Sequence, residues 1–281
     1  MTTLSIADVV KSIHDLPPLP AVVVELMTNL DNEETGNRLL AEKLSRDQAL
    51  TAKTLRLANS SFYGMSRKVT TIEQAITILG FDSVRTLVTA AAVIGNFSQS
   101  DQDTFNFKAF WRHAIATALC AKILARHLNA NQDQAFTAGL LHDIGRLALV
   151  SHSLQSYLEV IAYRAAEDCS LIEAEQAVLG IDHTMVGRAL AEHWKFPALI
   201  QRVIADHHAP WQSEGDTLVP IVHIADAITH ALDLSGDGED MVPPISDAAW
   251  DRLNLTKELF LQVFRETELH TEEACQILVS T

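Results

Sequence analysis

The sequence is poor in cysteine, in basic residues and in long apolar runs, and each shortage excludes a class of protein. Its three cysteines, Cys120, Cys169 and Cys275, are far apart and form no CxxC pair. This spacing argues against a disulfide framework and against a thiolate metal site. The first twenty residues have neither a basic segment nor a long apolar run, and no stretch is long enough to cross a bilayer. We therefore expect a cytoplasmic protein without a membrane segment.

Positive charge is also scarce. The 281 residues include 21 Lys and Arg against 36 Asp and Glu, which gives a formal net charge of −15. Such a protein repels polyanions, whereas nucleic-acid-binding proteins usually show a basic face. Nucleic acid is therefore not an expected partner.

What the sequence does contain is helical periodicity with helix caps, while alternating β-branched and aromatic runs between turn pairs are missing. Thr71 and Gln74 match a capping box for a helix that Gly80 ends, and Asp82 is the predicted cap of the next helix. The run Leu-Pro-Pro-Leu-Pro at 16–20 predicts a rigid elbow before another helix. We predict an all-α protein.

A polar stretch at 98–103 is the best internal boundary in the chain. We expect a helical bundle subdomain at 1–100, followed by a helical core at 101–235. From 236 to 281 we expect an acidic linker and C-terminal helices that pack on the core. Because residues 233–244 are acidic, contain glycine and end in prolines, this stretch is predicted to be solvated.

The segment from Gly139 to Leu149 places His142 and Asp143 side by side in a run that is otherwise apolar nearly all round. A helix of this kind is expected to lie in the core. Removing an imidazole and a carboxylate from water is costly unless each finds a partner. A divalent metal ion satisfies both groups, and a His-Asp pair buried for structural reasons is the alternative. These two residues alone do not decide between the two interpretations.

Other histidines lie on or beside apolar helical faces. His113 enters a helix beside such a face, where a satisfied core histidine is the alternative to a ligand. His183 opens a later helix. His207 and His208 end a helix that begins at Pro197, and the alternative there is a protonated imidazole that caps the helix dipole.

Asp226 is expected at the edge of an apolar face in the helix that follows. His223 and His230 fall within the same stripe. For Asp226 itself, solvation beside these two histidines is the alternative to a ligand. The stripe as a whole is either a wet surface or a second, weaker metal site, and we prefer the wet surface.

Together these positions supply imidazoles and carboxylates from five successive helical segments. This ligand set suits divalent ions such as iron, manganese or zinc, and a carboxylate that bridges permits two ions. We therefore predict one or two divalent metal ions. The predicted ligands are His113, His142, Asp143, His183, His207, His208 and Asp226.

The order of these residues resembles the HD superfamily of metal-dependent phosphohydrolases, and the wider sequence is similar to its HDOD branch. The similarity rests on LPPLP at 16–20, LRLANSSFYG at 55–64, AITILG at 75–80, Phe110-Trp111, AGLLHDIGRL at 138–147, Asp182-His183 and the 194–210 segment that ends in HHAP. The resemblance implies an HD-type helical core after the N-terminal bundle.

The metal positions also resemble the HD-GYP branch, with two departures. His207 and His208 are followed by Ala209 and Pro210 without a Gly-Tyr-Pro loop, so the resemblance does not extend to cyclic-di-GMP hydrolysis. Some HD-GYP relatives carry a ligating glutamate where this chain has Ala109, which limits the expected number of metal ions to two.

The resemblance implies two possible functions. HDOD proteins include signalling and regulatory modules, which implies a protein partner in a signalling pathway. A complete metal set implies a phosphohydrolase that acts on a small phosphate ester or nucleotide. We prefer the regulatory interpretation, keep the hydrolase as the alternative, and expect metal binding under both. If there is activity, the expected catalytic residues are His142, Asp143 and Arg146, with Arg146 or Lys195 neutralising the phosphorylated substrate.

Overall fold

Every regular element in the described part of the chain is helical. The computed structural model describes residues 44, 48–64, 68–97, 105–212, 215–237 and 241–279, and no strand occurs among them. The all-α prediction is therefore confirmed. The predicted elbow at 16–20 and the predicted boundary at 98–103 lie outside the described residues.

Three helices belong to the described N-terminal part, and their ends show how the sequence sets them. They are α1 (Gln48–Ala58), α2 (Ile72–Leu79) and α3 (Phe81–Phe97). The Thr71 hydroxyl accepts a hydrogen bond from the backbone N–H of Gln74. The side chain of Gln74, however, accepts from the backbone N–H of Thr70 rather than from that of Thr71. The predicted capping box is therefore only half formed.

The prediction that Asp82 caps α3 was wrong. Gly80 ends α2 with a positive φ of 86°, and α3 begins at the next residue. Asp82 consequently lies inside the first turn of α3, where it pairs with Arg85 at 2.9 Å. A carboxylate in a first turn still stabilises a helix through the helix dipole.

The core is formed by eight helices and one short 3-10 turn in the described chain. They are α4 (Phe107–His127), α5 (Gln132–Leu141), α6 (Ile144–His152), α7 (Leu154–Glu167), α8 (Leu171–Leu179), α9 (His183–His193), α10 (Ala198–Asp206), the 3-10 turn Pro210–Gln212 and α11 (Leu218–Ala231). Helix α4 is at the centre, buried over almost its whole length and packed against α5 and α11. Its many alanines allow this close packing on several sides.

The contact between α6 and α9 depends on Gly145. A Cβ at this position would lie 1.9 Å from the His183 carbonyl oxygen and 2.6 Å from the Gly187 amide nitrogen. These are backbone atoms, which cannot move aside as a flexible side chain can. The glycine therefore lets α6, which begins beside Asp143, approach the start of α9 at His183.

Two C-terminal helices, α12 (Asp247–Arg252) and α13 (Lys257–Val279), complete the described chain. Helix α13 packs on α4 and also on α1. Arg112 of α4 pairs with Glu272 at 2.9 Å, and the Glu273 carboxylate accepts hydrogen bonds from Ser61 after α1. One hydrophobic cluster runs through both parts of the chain, so α13 joins the two predicted units, and their boundaries stay a prediction.

Two further observations concern the cysteines and the membrane. All three cysteines are free. Among the described helices, none combines the length and the apolar character that a membrane span requires.

Candidate metal centre

His142 and Asp143 lie in a break between two helices and not inside one. Helix α5 ends at Leu141 and α6 begins at Ile144. The prediction of one continuous core helix through this segment was therefore wrong. Asp143 occupies the N-cap position of α6, but its side chain makes no capping hydrogen bond. The turn instead directs its carboxylate towards the histidines.

The seven predicted ligands converge on one place, and each carboxylate there faces several imidazoles. Oδ1 of Asp143 lies 3.3 Å from Nε2 of His183, 3.5 Å from Nε2 of His207 and 3.6 Å from Nε2 of His142.

Oδ1 of Asp226 lies 3.0 Å from Nε2 of His113 and 3.5 Å from Nε2 of His142. Nε2 of His183 and Nε2 of His208 are 3.2 Å apart. Helices α4, α9 and α11 and the ends of α5 and α10 thus meet at a common centre.

The outer nitrogens of three of these rings are fixed by acceptors. Nδ1 of His142 lies 2.7 Å from the Gly139 carbonyl oxygen, and Nδ1 of His207 lies 3.0 Å from that of Ile204. Nδ1 of His183 lies 2.6 Å from Oε2 of Glu175, which is fully buried. If each Nδ1 donates its proton outwards, each Nε2 presents a lone pair to the centre. Metal-binding histidines are typically held in this way.

Two of the inward atoms, in contrast, are not satisfied by their neighbours. Nε2 of His207 and Oδ1 of Asp226 are buried and make no hydrogen bond, although ring nitrogens and carboxylate oxygens lie within about 3.5 Å. An unsatisfied buried polar atom is costly. A pair buried for structural reasons would be hydrogen-bonded, so these residues fit a divalent ion better than that alternative.

Burial and mutual charge shift the pKa values of the cluster. Burial disfavours ionisation of Asp143 and Asp226, but the surrounding histidines outweigh it and hold the pKa of each carboxyl well below its usual range. Burial lowers the pKa of His113, of His207 and, strongly, of His208. Neutral imidazole is the form that binds metals. The alternative of protonated helix caps at His207 and His208 is therefore not supported.

His183 behaves differently because it has a carboxylate on each side. Burial opposes its protonation, but Glu175 and Asp143 outweigh burial and raise the pKa of His183 to about 9. The pKa of His142 is raised in the same sense, mainly by Asp143 against the effect of burial. In the metal-free centre, positive charge is thus concentrated around Asp143.

Of the two predicted phosphate-neutralising residues, the structure brings only Arg146 to the centre. Its Nη1 lies 2.9 Å from Oδ2 of Asp143 and its Nε donates to the Tyr157 hydroxyl at 3.1 Å. The guanidinium also lies over the ring of Phe110. Lys195 is exposed in the turn between α9 and α10, with a positive φ of 57°. The prediction for Lys195 is therefore corrected, because its side chain does not line the cavity at the centre.

A cavity of about 360 Å³ opens onto the candidate ligands. Its polar part includes Asp143, His183, His208 and Asp226, with Arg146 and Arg164 beside them, and its apolar part includes Leu171, Ile172, Trp211 and residues 241–245. This volume lies in the range of small-molecule sites.

Composition predicts that the acidic segment before α12 is a solvated linker, but part of it contributes to the cavity wall. Its last residues, Met241 to Pro244, line the cavity together with Ile245 and Ser246. The Ser246 amide donates to Nε2 of His223 at 3.0 Å, and His223 is only 4% exposed. A buried acceptor on α11 therefore holds this segment against the centre.

The preferred wet surface around Asp226 was also wrong. Asp226 is 2% exposed. His230 lies one turn further along α11, with Nε2 3.4 Å from Oδ1 of Asp226. Sequence reasoning noted this stripe but missed the neighbouring helix α4, whose His113 covers it. Glu175 and Tyr157 were missed as well, and the only signal for Glu175 is an acidic residue among the apolar residues of α8.

Comparison with known proteins gives a consistent result. The HDOD domain family model matches residues 16–210. The structure of an HDOD domain protein with unknown function from Geobacter sulfurreducens aligns with a TM-score of 0.85 at 24% identity, over 98% of each chain. A structure from Shewanella amazonensis SB2B named "Putative phosphohydrolase" aligns with a TM-score of 0.76 at 28% identity, over 97% of this chain and 98% of that one.

A longer protein from Treponema pallidum is 27% identical over 212 residues. This match covers 74% of the chain but only 40% of the relative. The chain thus spans about two fifths of the length of that curated relative.

Proposed function

The chain belongs to the HDOD domain family, and from this premise we propose that it is a signalling module whose His/Asp cluster holds one or two divalent metal ions and binds a small phosphorylated ligand. The observation that carries the proposal is the convergence of buried ring nitrogens and carboxylate oxygens beside an open cavity, with Nε2 of His207 and Oδ1 of Asp226 making no hydrogen bond. In a signalling module, ligand binding would be passed on to a protein partner.

The ligand atoms fall into overlapping groups, and Asp143 belongs to two of them. Asp143, His183, His207 and His208 form one group, and His113 and His142 form another with Asp143. The imidazole and carboxylate set favours iron, manganese or zinc. When bound, such ions supply Lewis-acid chemistry towards a phosphoryl oxygen.

The chain's own charges favour a small anion in the cavity. Asp143 and Asp226 carry two negative charges, and Arg146 and Arg164 on the wall carry two positive charges. Divalent ions held by neutral histidines would make the cavity positive within a protein of formal charge −15. Small phosphates would be attracted, while long polyanions would still be repelled by the rest of the surface.

Phosphate-ester hydrolysis is the second candidate function, and one observation favours it. The cavity reaches Asp143, His183 and His208 directly. A phosphate ester in the cavity could therefore contact ions held by these residues. Arg146 holds the Asp143 carboxylate at 2.9 Å, which keeps this shared ligand oriented. The Shewanella structure named as a phosphohydrolase supports this candidate.

One set of measurements tests both functions. The protein is purified anaerobically, loaded with manganese, iron or zinc, and its metal content is measured. Inorganic phosphate is then titrated by calorimetry, and turnover is screened with nucleotides, cyclic dinucleotides and an aryl phosphate. Less than about a tenth of an ion per chain would refute the metal site, since a site of this kind should fill almost completely. Turnover that disappears in His142→Ala establishes the hydrolase, whereas phosphate binding without turnover leaves the regulatory module.

A further inference from the structure

We propose that His230 is a metal ligand and that it completes a metal position separate from the one around His183. The first position would comprise His113, His142, His230 and Asp226, and the second would comprise His183, His207, His208 and Asp143. This inference rests on the proposed function, because it assigns ligands to ions that the function requires. It goes further, because His230 is outside the ligand set that the family resemblance implies.

The geometry around Asp226 carries the proposal. Its Oδ1 lies 3.0 Å from Nε2 of His113, 3.4 Å from Nε2 of His230 and 3.5 Å from Nε2 of His142. The same oxygen makes no hydrogen bond, and the residue is 2% exposed. Three imidazoles thus crowd one buried oxygen without satisfying it. Ligands of a common ion are arranged in this way, since each directs a lone pair to a shared point.

His230 is placed there by two independent features of the fold. It follows Asp226 by four residues in α11, which puts both side chains on one face of the helix. Helix α4 packs on that face and brings the His113 ring to 4.4 Å from the His230 ring, centroid to centroid. The donor atoms of His113, Asp226 and His230 all lie within 4.8 Å of one another.

Counting donors explains why a second position needs His230. A ring nitrogen has one lone pair and binds one ion, so His113 cannot serve two positions through Nε2. With His230 included, six imidazoles divide into three for each position. Asp226 belongs to the first position, and Asp143 lies between them, 3.6 Å from His142 and 3.3 Å from His183. A carboxylate so placed can bridge two ions.

The two positions would then differ in function. The first has three imidazoles and Asp226, with Asp143 as a shared fifth ligand, so few coordination sites remain for anything else. The second has three imidazoles and Asp143 alone. Both positions reach the cavity, the first through Asp226 and His230 and the second through His183 and His208, so the number of protein ligands is what distinguishes them. Sites that keep open coordination positions are the ones that bind exogenous ligands. The phosphorylated ligand would therefore bind at the second position.

The test compares metal content in variants of the full chain. His230→Phe keeps a ring of similar shape but removes the nitrogen donors, and His230→Asn is a smaller change that guards against misfolding of the first. His193→Ala changes an exposed histidine of α9 and is the matched control. His183→Phe removes a ligand of the other position. Each protein is reconstituted identically, and melting in excess chelator checks its fold.

We expect about two ions per chain in the wild type and in His193→Ala, and about one in each His230 variant and in His183→Phe. The His230→Phe, His183→Phe double variant should hold almost none. Unchanged metal content in both His230 variants would overturn the inference, as would the loss of both ions or a wild type that holds only one. A wild type without metal would instead refute the proposed function itself.

Discussion

Replacing Asp143 by asparagine should remove metal-dependent stability, because its carboxylate is shared by most of the candidate ligands. Oδ1 contacts three ring nitrogens within 3.6 Å, and Oδ2 pairs with Arg146 at 2.9 Å. Asp143→Asn keeps the shape of the side chain but removes its charge. Two separate losses follow, one that depends on metal and one that does not.

The metal-dependent loss can be estimated from mass action. An ion at a hundredfold excess over its Kd stabilises the folded state by about 2.7 kcal/mol. In a chain of this size, each kcal/mol changes the Tm by roughly 2 °C, so each bound ion should raise the wild-type Tm by roughly 5 °C. In Asp143→Asn this increment should almost vanish. The metal-independent loss arises because Arg146 loses its carboxylate partner, and it is about 3–5 kcal/mol for a broken buried ion pair.

Asp133 offers a matched control outside the centre. Its carboxylate pairs with the buried Lys122 at 3.0 Å, so Asp133→Asn also leaves a buried cation without its carboxylate. Its cost should be smaller, because the Asp133 side chain is 19% exposed whereas that of Asp143 is 7% exposed. The metal-dependent increment should stay at the wild-type value.

The assay is thermal melting of the three proteins, each with saturating metal and each with excess chelator. The difference between the two conditions isolates the metal contribution from any general destabilisation. If Asp143→Asn keeps the full wild-type increment, Asp143 is not a ligand and the centre has been placed wrongly. If Asp133→Asn loses the increment too, the assay is reporting global stability and the assignment fails.

Three further predictions concern protons, backbone packing and the contact between the two predicted units. Because the pKa of His183 is raised to about 9, metal binding at pH 7 to 8 should release about one proton there and strengthen with pH until about 9; calorimetry in buffers of different ionisation enthalpy measures this, and Glu175→Gln should reduce the release. Gly145→Ala should disrupt both the fold and the metal content, because its Cβ would meet backbone atoms, whereas Gly187→Ala should be milder because its Cβ meets first a side-chain methyl; equal melting temperatures for the two would contradict the proposed close helix contact. Lys122→Met should lower the free energy of unfolding by about 1.5–3 kcal/mol through lost charged hydrogen bonds and leave the metal content unchanged. Denaturant unfolding and elemental analysis measure the two quantities, and a loss of metal would contradict this prediction.

The sequence pattern predicts the helical class and singles out the candidate ligands. It does not predict the turn that positions two of them. His142 and Asp143 stood out because two polar groups interrupt an apolar run, and His207 because it extends an apolar stripe. Both features are local. The break between α5 and α6 was missed because apolar periodicity continues across it, so nothing in the pattern indicates a two-residue turn.

The residues that were missed depend on contacts between distant parts of the chain. Composition predicts a solvated linker at 233–244, and only the hydrogen bond from Ser246 to His223 indicates that its last residues lie on the cavity wall. The preference for a wet surface at Asp226 failed for the same reason, since α4 supplies the burial. Lys195 seemed as good a candidate as Arg146 because sequence gives no direction for a side chain in a turn.

Helix α13 joins parts of the chain that are made at very different times. Ser61 and Glu273 are 212 residues apart, so at a synthesis rate of about 5–20 residues per second their contact must wait roughly 10 to 40 s. During that interval Phe62, which lies 5.5 Å from the His270 ring in the finished fold, has not yet met its partner. The N-terminal helices therefore lack their contact with α13 during that interval, and the surface that α13 later covers is open meanwhile to chaperones and to neighbouring nascent chains.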